Sequence, residues 1–529
     1  MTGTVPSGSS VAPGRLRSPR LKQLHADCER IVAGAYRHPW LIANPVFARS
    51  PSTDLCGRIV LDELPKGTWW REAPKALIVY FINNISVLIQ TLAQIALLRR
   101  PNAATVLEKA ELVVDSSLHV TKALEKGHLE LCNMDGMEQV LDKAGVRYIF
   151  LPSFSASMDR KTFHRIRSLI RRQSERVVMP HDLLQMWDAL YLAAFTLAYP
   201  FLLLAFLRNL APAGALREVL RSECMRTFGQ DVVSPMLRYL SARRLVRNAP
   251  SGLKILSWCE NRAGDKLFYR GLKEAAPQTF ILGLQTLIFP DNYLGCYVNA
   301  AETALGCTPD RLLMNGPYYL DDHSPVEMAV GPSLRYRDLL SHPLPQEEGD
   351  TVLVLMSYAP LASRRLLCAL RDCQALKGRR MVIRLHPAVP REEWAGQLPL
   401  GARFDRGDLH ESLRSAAFAI GSETGALMEA VACGIPVVNV DTLGAAGLGY
   451  VPELGKGAIW FEADWQESLN PAVEAATSVP LEVRHHFAQQ FREQCFSPFT
   501  PNSILSSLGF TQAPMTPEST SPSPKEATQ

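Results

Sequence analysis

From residue 351 onward, short aliphatic runs alternate with helix-length amphipathic stretches, and this alternation limits the fold more than any other feature of the chain. TVLVLMS, MVIRLHP, AFAIGSE, IPVVNV and AIWF are of strand length. Helices are expected over residues 361–376 and 424–433, and near Trp465 and Leu481. Runs that are apolar on both faces fit parallel strands covered by helices on each side, the doubly wound α/β arrangement. A similar series precedes it: LKILSWCEN, TFILGLQT and RLLMNG, with ELVVDSS and GVRYIFLPSF further upstream. Ligands of such sheets sit at the carboxyl ends of the strands, which here carry polar residues. Residues 323–349, rich in Pro, Gly and charge, read as a hinge between the two series. The expected division is a tail at 1–22, an N-terminal α/β domain with apolar helical segments at 23–330, a C-terminal domain at 331–510 and a second tail at 511–529. Both tails are dominated by Ser, Pro, Thr and Gly and read as disordered.

Composition narrows the function. Among 529 residues, 47% are hydrophobic and 20% charged, and the net charge of +4 is too mild for a nucleic-acid binder. The 11 cysteines are scattered without a Cys-x-x-Cys pair, so they read as reduced thiols of a cytoplasmic protein. The adjacent pair His485 and His486 lacks further ligands at metal-binding spacing.

Two apolar stretches stand out. Residues 76–98 carry no charge between basic flanks at Arg71, Lys75, Arg99 and Arg100, but Asn83, Asn84, Ser86, Gln90, Thr91 and Gln94 recur at helical spacing. That polar stripe is costly in hydrocarbon. A strand at 77–81 followed by a helix is the alternative. Residues 189–207 are more continuously apolar, with a kink expected at Pro200. Core burial, in-plane docking at a membrane and a true transmembrane pass all stay open for both, and Trp69 and Trp70 beside cations suit an interfacial belt.

Candidate site residues fall at strand ends. In AIGSETGALMEAVACGIPVVNV, Ser422 stands where a helix cap belongs, Thr424 and Gly425 follow, and Gly434 and Pro436 end the helix. The free amides of that first turn suit an anion, and Glu429 one turn on suits ribose hydroxyls. His386 ends another strand with Arg384 two residues before it, offering two groups for a phosphate. Glu260 follows a strand as Glu-Asn-Arg and is a candidate general base, or else pairs structurally, as Asp265 also can, with Arg262, Lys266 or Arg270. Asp321, Asp322 and His323 form a second acidic candidate near the hinge.

EAVACGIPVV, residues 429–438, resembles the nucleotide-binding segment of GT-B glycosyltransferases, and VIRLHP, residues 382–387, resembles the His-Pro motif of bacterial capsule, Kdo and polysialic acid transferases. WCENRAGDKLFYRGL, GLQT and PDRLLMNG look like the acceptor-side half of a surface-carbohydrate or O-antigen biosynthesis family. The resemblance covers residues 253–508 and implies a GT-B-like pair of Rossmann-like domains with an intervening cleft. It implies Glu260 and His386 as catalytic residues. Arg384, His386, Ser422, Glu423, Thr424, Gly425 and Glu429 would bind the donor nucleotide, and Asn261, Gln285 and Asn315 would lie on the acceptor side. Arg335 resembles an arginine recurring just past the linker.

The implied activity is transfer of a sugar from a nucleotide donor, CMP-linked by preference, to a surface polysaccharide or lipopolysaccharide glycan. The partners would be that donor, a glycan or lipid-linked glycan acceptor and the inner face of the plasma membrane, with no nucleic acid. Without an Asp-x-Asp motif, metal independence and no cofactor are expected. Two departures mark the chain: Gly421 stands where common retaining relatives carry a second Glu, and Thr286 follows Gln285 where relatives carry His. A nucleotide-sugar 2-epimerase on the same scaffold and a non-catalytic assembly scaffold are the alternatives.

Overall fold

The computed structural model describes residues 34–48 and 69–510 apart from short breaks, the longest at 154–159 and 211–214. Both expected tails lie outside the described residues. Two all-parallel sheets organise the chain, each of six strands. The N-terminal sheet holds β1 (Leu112–Ser117), β2 (Tyr148–Ser153), β3 (Lys254–Trp258), β4 (Phe280–Leu284), β5 (Arg311–Met314) and β6 (Glu327–Val330), in the order β2-β1-β3-β4-β5-β6. The C-terminal sheet holds β7 (Thr351–Leu355), β8 (Arg380–Arg384), β9 (Arg403–Phe404), β10 (Ala416–Gly421), β11 (Val437–Asp441) and β12 (Trp460–Asp464), in the order β12-β11-β10-β7-β8-β9. Both are doubly wound, as the runs of Val, Leu and Ile led us to expect. The strand order reverses between β1 and β3 in one sheet and between β7 and β10 in the other, and such reversals open ligand crevices.

A helical layer covers part of the N-terminal sheet. It includes α1 (Trp69–Leu98), α2 (Met186–Arg208), α3 (Val233–Arg247) and α4 (Ala263–Ala275). The strand considered at 77–81 is absent: α1 runs through it for 30 residues, since Pro74 falls near its start and nothing later in it breaks a helix. Pro200 does not end α2 either. A proline lacks the N–H that would bond the carbonyl of Thr196 one turn back, and the Tyr80 hydroxyl of α1 donates to that carbonyl at 2.8 Å.

Beneath this layer a buried ionic network closes the N-terminal switch point. Asp115 at the end of β1 accepts from Arg238 Nη1 and Nη2 of α3 at 3.0 and 2.7 Å and from the Ser257 hydroxyl of β3 at 2.6 Å.

The C-terminal unit contains α5 (Ala426–Ala432), α6 (Leu481–Cys495) and α7 (Pro501–Ser507). Gly434 ends α5 at φ 77°, where its N–H reaches Val431 and that of Ile435 reaches Ala430, the bond pair of a Schellman turn. The chain then returns. After α6, Ser497 N donates to Ser333 Oγ at 3.0 Å, and Ile504, Leu505 and Leu508 join the core of the N-terminal sheet with Val114, Phe150 and Leu256. Lys254 Nζ fastens the end by bonding the carbonyls of Leu508 and Gly509 at 3.0 and 2.8 Å.

Candidate functional site

The two units meet along the carboxyl ends of their strands. Asn292 N and Nδ2, beyond β4, donate to Leu448 O and Gly447 O at 2.8 Å each, and Asp291 N donates to Gly449 O at 3.1 Å. A Cβ on Gly425, just before α5, would lie 3.5 Å from Ile288 Cδ1. Core residues from both sides, among them Ile288, Tyr319, Tyr336 and Met428, belong to one buried cluster.

On the N-terminal side, Glu260, Asn261, Gln285 and Asn315 come together at the ends of β3, β4 and β5. Gln285 Oε1 accepts from Asn315 N at 3.0 Å, and Asn315 Nδ2 donates to Leu287 O at 3.1 Å. The remaining polar atoms of this set are buried without hydrogen bonds: Asn261 Nδ2, Gln285 Nε2, Thr286 Oγ1 and Asn315 Oδ1. Leaving such atoms unpaired costs about 1–3 kcal/mol each, so their concentration at one set of strand ends marks a place built to meet a polar ligand. Thr286 is part of it.

Glu260 is 3% exposed and pairs with Arg262, and neither of its oxygens accepts a well-directed hydrogen bond. Burial pushes its carboxyl up to about 7 against the pull of Arg262 and Arg335. Its backbone is fixed: Asp265 in the first turn of α4 accepts from Glu260 N and Arg262 N, at 3.1 Å each, across Asn261 in the left-handed region at φ 54°. Both the basic role and the pairing with Arg262 foreseen from the sequence are thus compatible with one position. A crevice of about 40 Å³ lined by Ser117, Ser153, Trp258, Glu260 and Arg262 opens beside it.

The C-terminal side corrects several expectations. Ser422 does not cap α5; its hydroxyl is fully buried 2.6 Å from that of Thr442 beyond β11, away from the β8 side that carries His386. The N-cap is Gly425, without a side-chain bond, because Glu423 and Thr424 extend the loop by two residues. Thr424 Oγ1 stands at the long distance of 3.4 Å from Ala426 N. Arg384 is committed to Asp405 Oδ2 at 2.5 Å and Gly407 O at 2.9 Å rather than left for a phosphate. Glu429 faces His410, 3.7 Å away, and its carboxylate raises that imidazole's pKa.

Glu423 is held with a left-handed backbone at φ 50°, its carboxylate accepting from Leu448 N at 2.7 Å and its carbonyl from Ser357 Oγ at 3.1 Å. Of the three described non-glycine residues in that region, Asn133, Asn261 and Glu423, two flank the junction, and such strain gathers at functional sites.

His386 is half-buried beside Tyr358, their ring centroids 5.6 Å apart; burial and then Arg335 lower its pKa, so it is neutral near pH 7. Arg335, past β6, is exposed and acts electrostatically on Glu260 and His386 alike. Asp321 and His323, by contrast, form a local turn, with His323 N donating to Asp321 Oδ1 at 2.9 Å. Sequence reading underweighted Arg335 because its position in the hinge gave no periodic signal.

No family model matches the chain, and no curated protein matches it. Solved structures do. The glycosyltransferase SnogD from Streptomyces nogalater shares 14% identity over 76% of this chain and 99% of that one, with a TM-score of 0.38. MurG from Acinetobacter baumannii shares 11% over 75% and 99%, with a TM-score of 0.37. UDP-GlcNAc 2-epimerase from Methanocaldococcus jannaschii shares 9% over 70% and 93%, also with a TM-score of 0.37. Likeness this distant says nothing of activity. The topology itself is a pair of doubly wound, all-parallel six-stranded sheets.

Proposed function

We propose that the chain is a glycosyltransferase that moves a sugar from a nucleotide-activated donor to a glycan hydroxyl at the junction of the two units. The observation that carries this reading is Glu260: a buried carboxyl with a pKa near 7, ringed by unpaired polar atoms, sharing the field of Arg335 with His386. In the proposed step Glu260 takes the proton of the acceptor hydroxyl as its oxygen bonds to the anomeric carbon, and the bond from that carbon to the phosphate oxygen breaks. Arg335 offsets the charge gathering on the leaving phosphate, and neutral His386 donates a hydrogen bond to it. Asn261, Gln285, Thr286 and Asn315 would orient the sugars.

The donor is proposed as CMP-linked on the His-Pro resemblance, and the acceptor as a polysaccharide or lipopolysaccharide glycan. Residues 23–330 would form the acceptor-side unit and 331–510 the nucleotide-binding unit, in a cytoplasmic protein working without a metal. Glu423, Thr424 and Gly425 would line the nucleotide end of the site, with Ser422 and Arg384 supporting it from within.

Nucleotide binding tests this reading. A ligand specific to the native state raises the melting temperature, so CMP, UDP, GDP and CDP are compared by thermal shift. CMP is expected to give the largest rise, and Arg335→Ala to weaken the preferred nucleotide about 10-fold or more, the value of a lost charge-assisted contact. No shift with any nucleotide sinks the transferase. A UDP-sugar epimerised in the absence of acceptor would replace it with the isomerase.

A further inference from the structure

The helix α1 presents an apolar stripe to solvent although polar side chains are spent inside. Two of its polar residues face inward: Asn84 is fully buried, its Nδ2 donating to Gln230 O at 3.1 Å and its Oδ1 accepting from Val232 N at 3.0 Å, and Thr91 is buried too, while Asn83, Ser86 and Gln90 are exposed. Three of its isoleucines face outward, Ile78, Ile82 and Ile89, exposed by 63%, 66% and 60%. These positions follow helical spacing and make one stripe. The neighbouring α2 does the same with Trp187, Leu190, Tyr191, Leu197 and Phe201 exposed. The stripes adjoin, since the Phe81 and Phe201 rings lie 6.5 Å apart.

We infer that the joined outer faces of α1 and α2 are a docking surface for an anionic phospholipid bilayer, on which both helices lie in plane. Contiguous exposed apolar surface of this kind marks an interaction site. The charge around it selects the lipid. Arg71, Lys75, Arg99 and Arg208 are exposed at the helix ends and outnumber the exposed Glu72 of α1, and the acidic Asp188 of α2 is turned inward onto Arg244 at 2.9 Å. A basic rim around an apolar centre, with Trp187 and Tyr191 among the exposed rings, complements anionic headgroups above acyl chains.

Both helices are long and apolar enough to cross a membrane, but their inner faces are spoken for. Asn84 bonds the Gln230–Val232 turn, Tyr80 the Thr196 carbonyl and Asp188 the Arg244 guanidinium. Crossing would break the bonds of Asn84 and Asp188, whose partners lie outside the two helices; lying flat keeps them. The inference does not depend on the transfer chemistry.

Flotation of the full chain with vesicles tests it. The wild type is expected to float with phosphatidylcholine vesicles containing phosphatidylglycerol, and much less with phosphatidylcholine alone or at high salt. Ile82→Glu/Ile89→Glu, and separately Phe201→Glu, are expected to cut bound protein at least about 10-fold with the circular dichroism spectrum unchanged. Wild type that stays at the bottom of the gradient overturns the inference, as does flotation indifferent to both variants. Wild type that is dimeric without lipid, fails to float and becomes monomeric on Ile82→Glu/Ile89→Glu would give the face to a second copy of the chain.

Discussion

Replacing Glu260 with glutamine is expected to lower the turnover of sugar transfer by about 10²–10⁴-fold, the range for loss of a positioned general base, with nucleotide affinity retained. Glutamine keeps the shape of the side chain but cannot accept the acceptor's proton. The pH dependence separates this role from a structural one. Because the folded carboxyl titrates at about 7 and must be ionised to act, turnover in the wild type should rise with pH through 7 and level off above it, and the variant should lack that limb. Stability runs the opposite way. A carboxyl whose pKa is raised on folding leaves the native state holding the extra proton between the unfolded value, 4.5, and about 7, so native stability falls as pH rises across that window. Integrated across the window the effect is about 3 kcal/mol at most. Glu260→Gln is therefore expected to be more resistant to denaturant than the wild type above pH 7 and to lose that advantage below pH 4.5. Urea unfolding at pH 4 and pH 8 measures the pair of outcomes. A variant with full turnover removes Glu260 from the chemistry.

Arg238→Ala is expected to destabilise the fold by about 3–5 kcal/mol, the cost of stranding one partner of a buried ion pair. Asp115 is 1% exposed, and without the two guanidinium bonds it retains only the Ser257 hydroxyl among its described partners. The damage should not stay local. Arg238 also stands 3.7 Å from Asp265, the carboxylate that fixes the backbone of Glu260, so turnover should fall in the surviving folded fraction as well. Asp115→Asn/Arg238→Met is expected to recover much of the stability, because both buried charges are then gone. Urea midpoints for the wild type, Arg238→Ala and the double variant decide it. A midpoint within experimental error of the wild type for Arg238→Ala would show that the network carries little load.

Most strands were legible because they are buried on both faces and written as aliphatic runs, such as TVLVL at β7, whereas β6 and β9, short and partly exposed, were not read, β6 lying inside the stretch taken as a hinge. The helices at the apolar stretches were harder. Period alone cannot tell whether the stripe containing Asn84 and Thr91 faces water or the protein, and the presence of the Gln230–Val232 turn that receives Asn84 is a tertiary fact. At the N-terminal sheet, Glu260 could be placed from position, since a residue following a parallel strand must lie at the sheet's carboxyl edge, whereas Asn261, Gln285 and Asn315 were named from the resemblance and follow β3, β4 and β5 in the same way. At the C-terminal sheet that reasoning overreached. It placed Ser422 at a cap, although the two following residues lengthen the loop, and it left Arg384 free, although Asp405 is brought beside it only by the pairing of β8 with β9.

The return of the chain after α6 has a consequence for biosynthesis. Leu256 of β3 packs with Ile504, Leu505 and Leu508, about half the chain later, so the amino-terminal sheet lacks one wall until those residues have left the ribosome. The first half to be synthesised is thus the last to be finished, and nascent chains halted before α7 should depend on chaperones for as long as that apolar wall stays open.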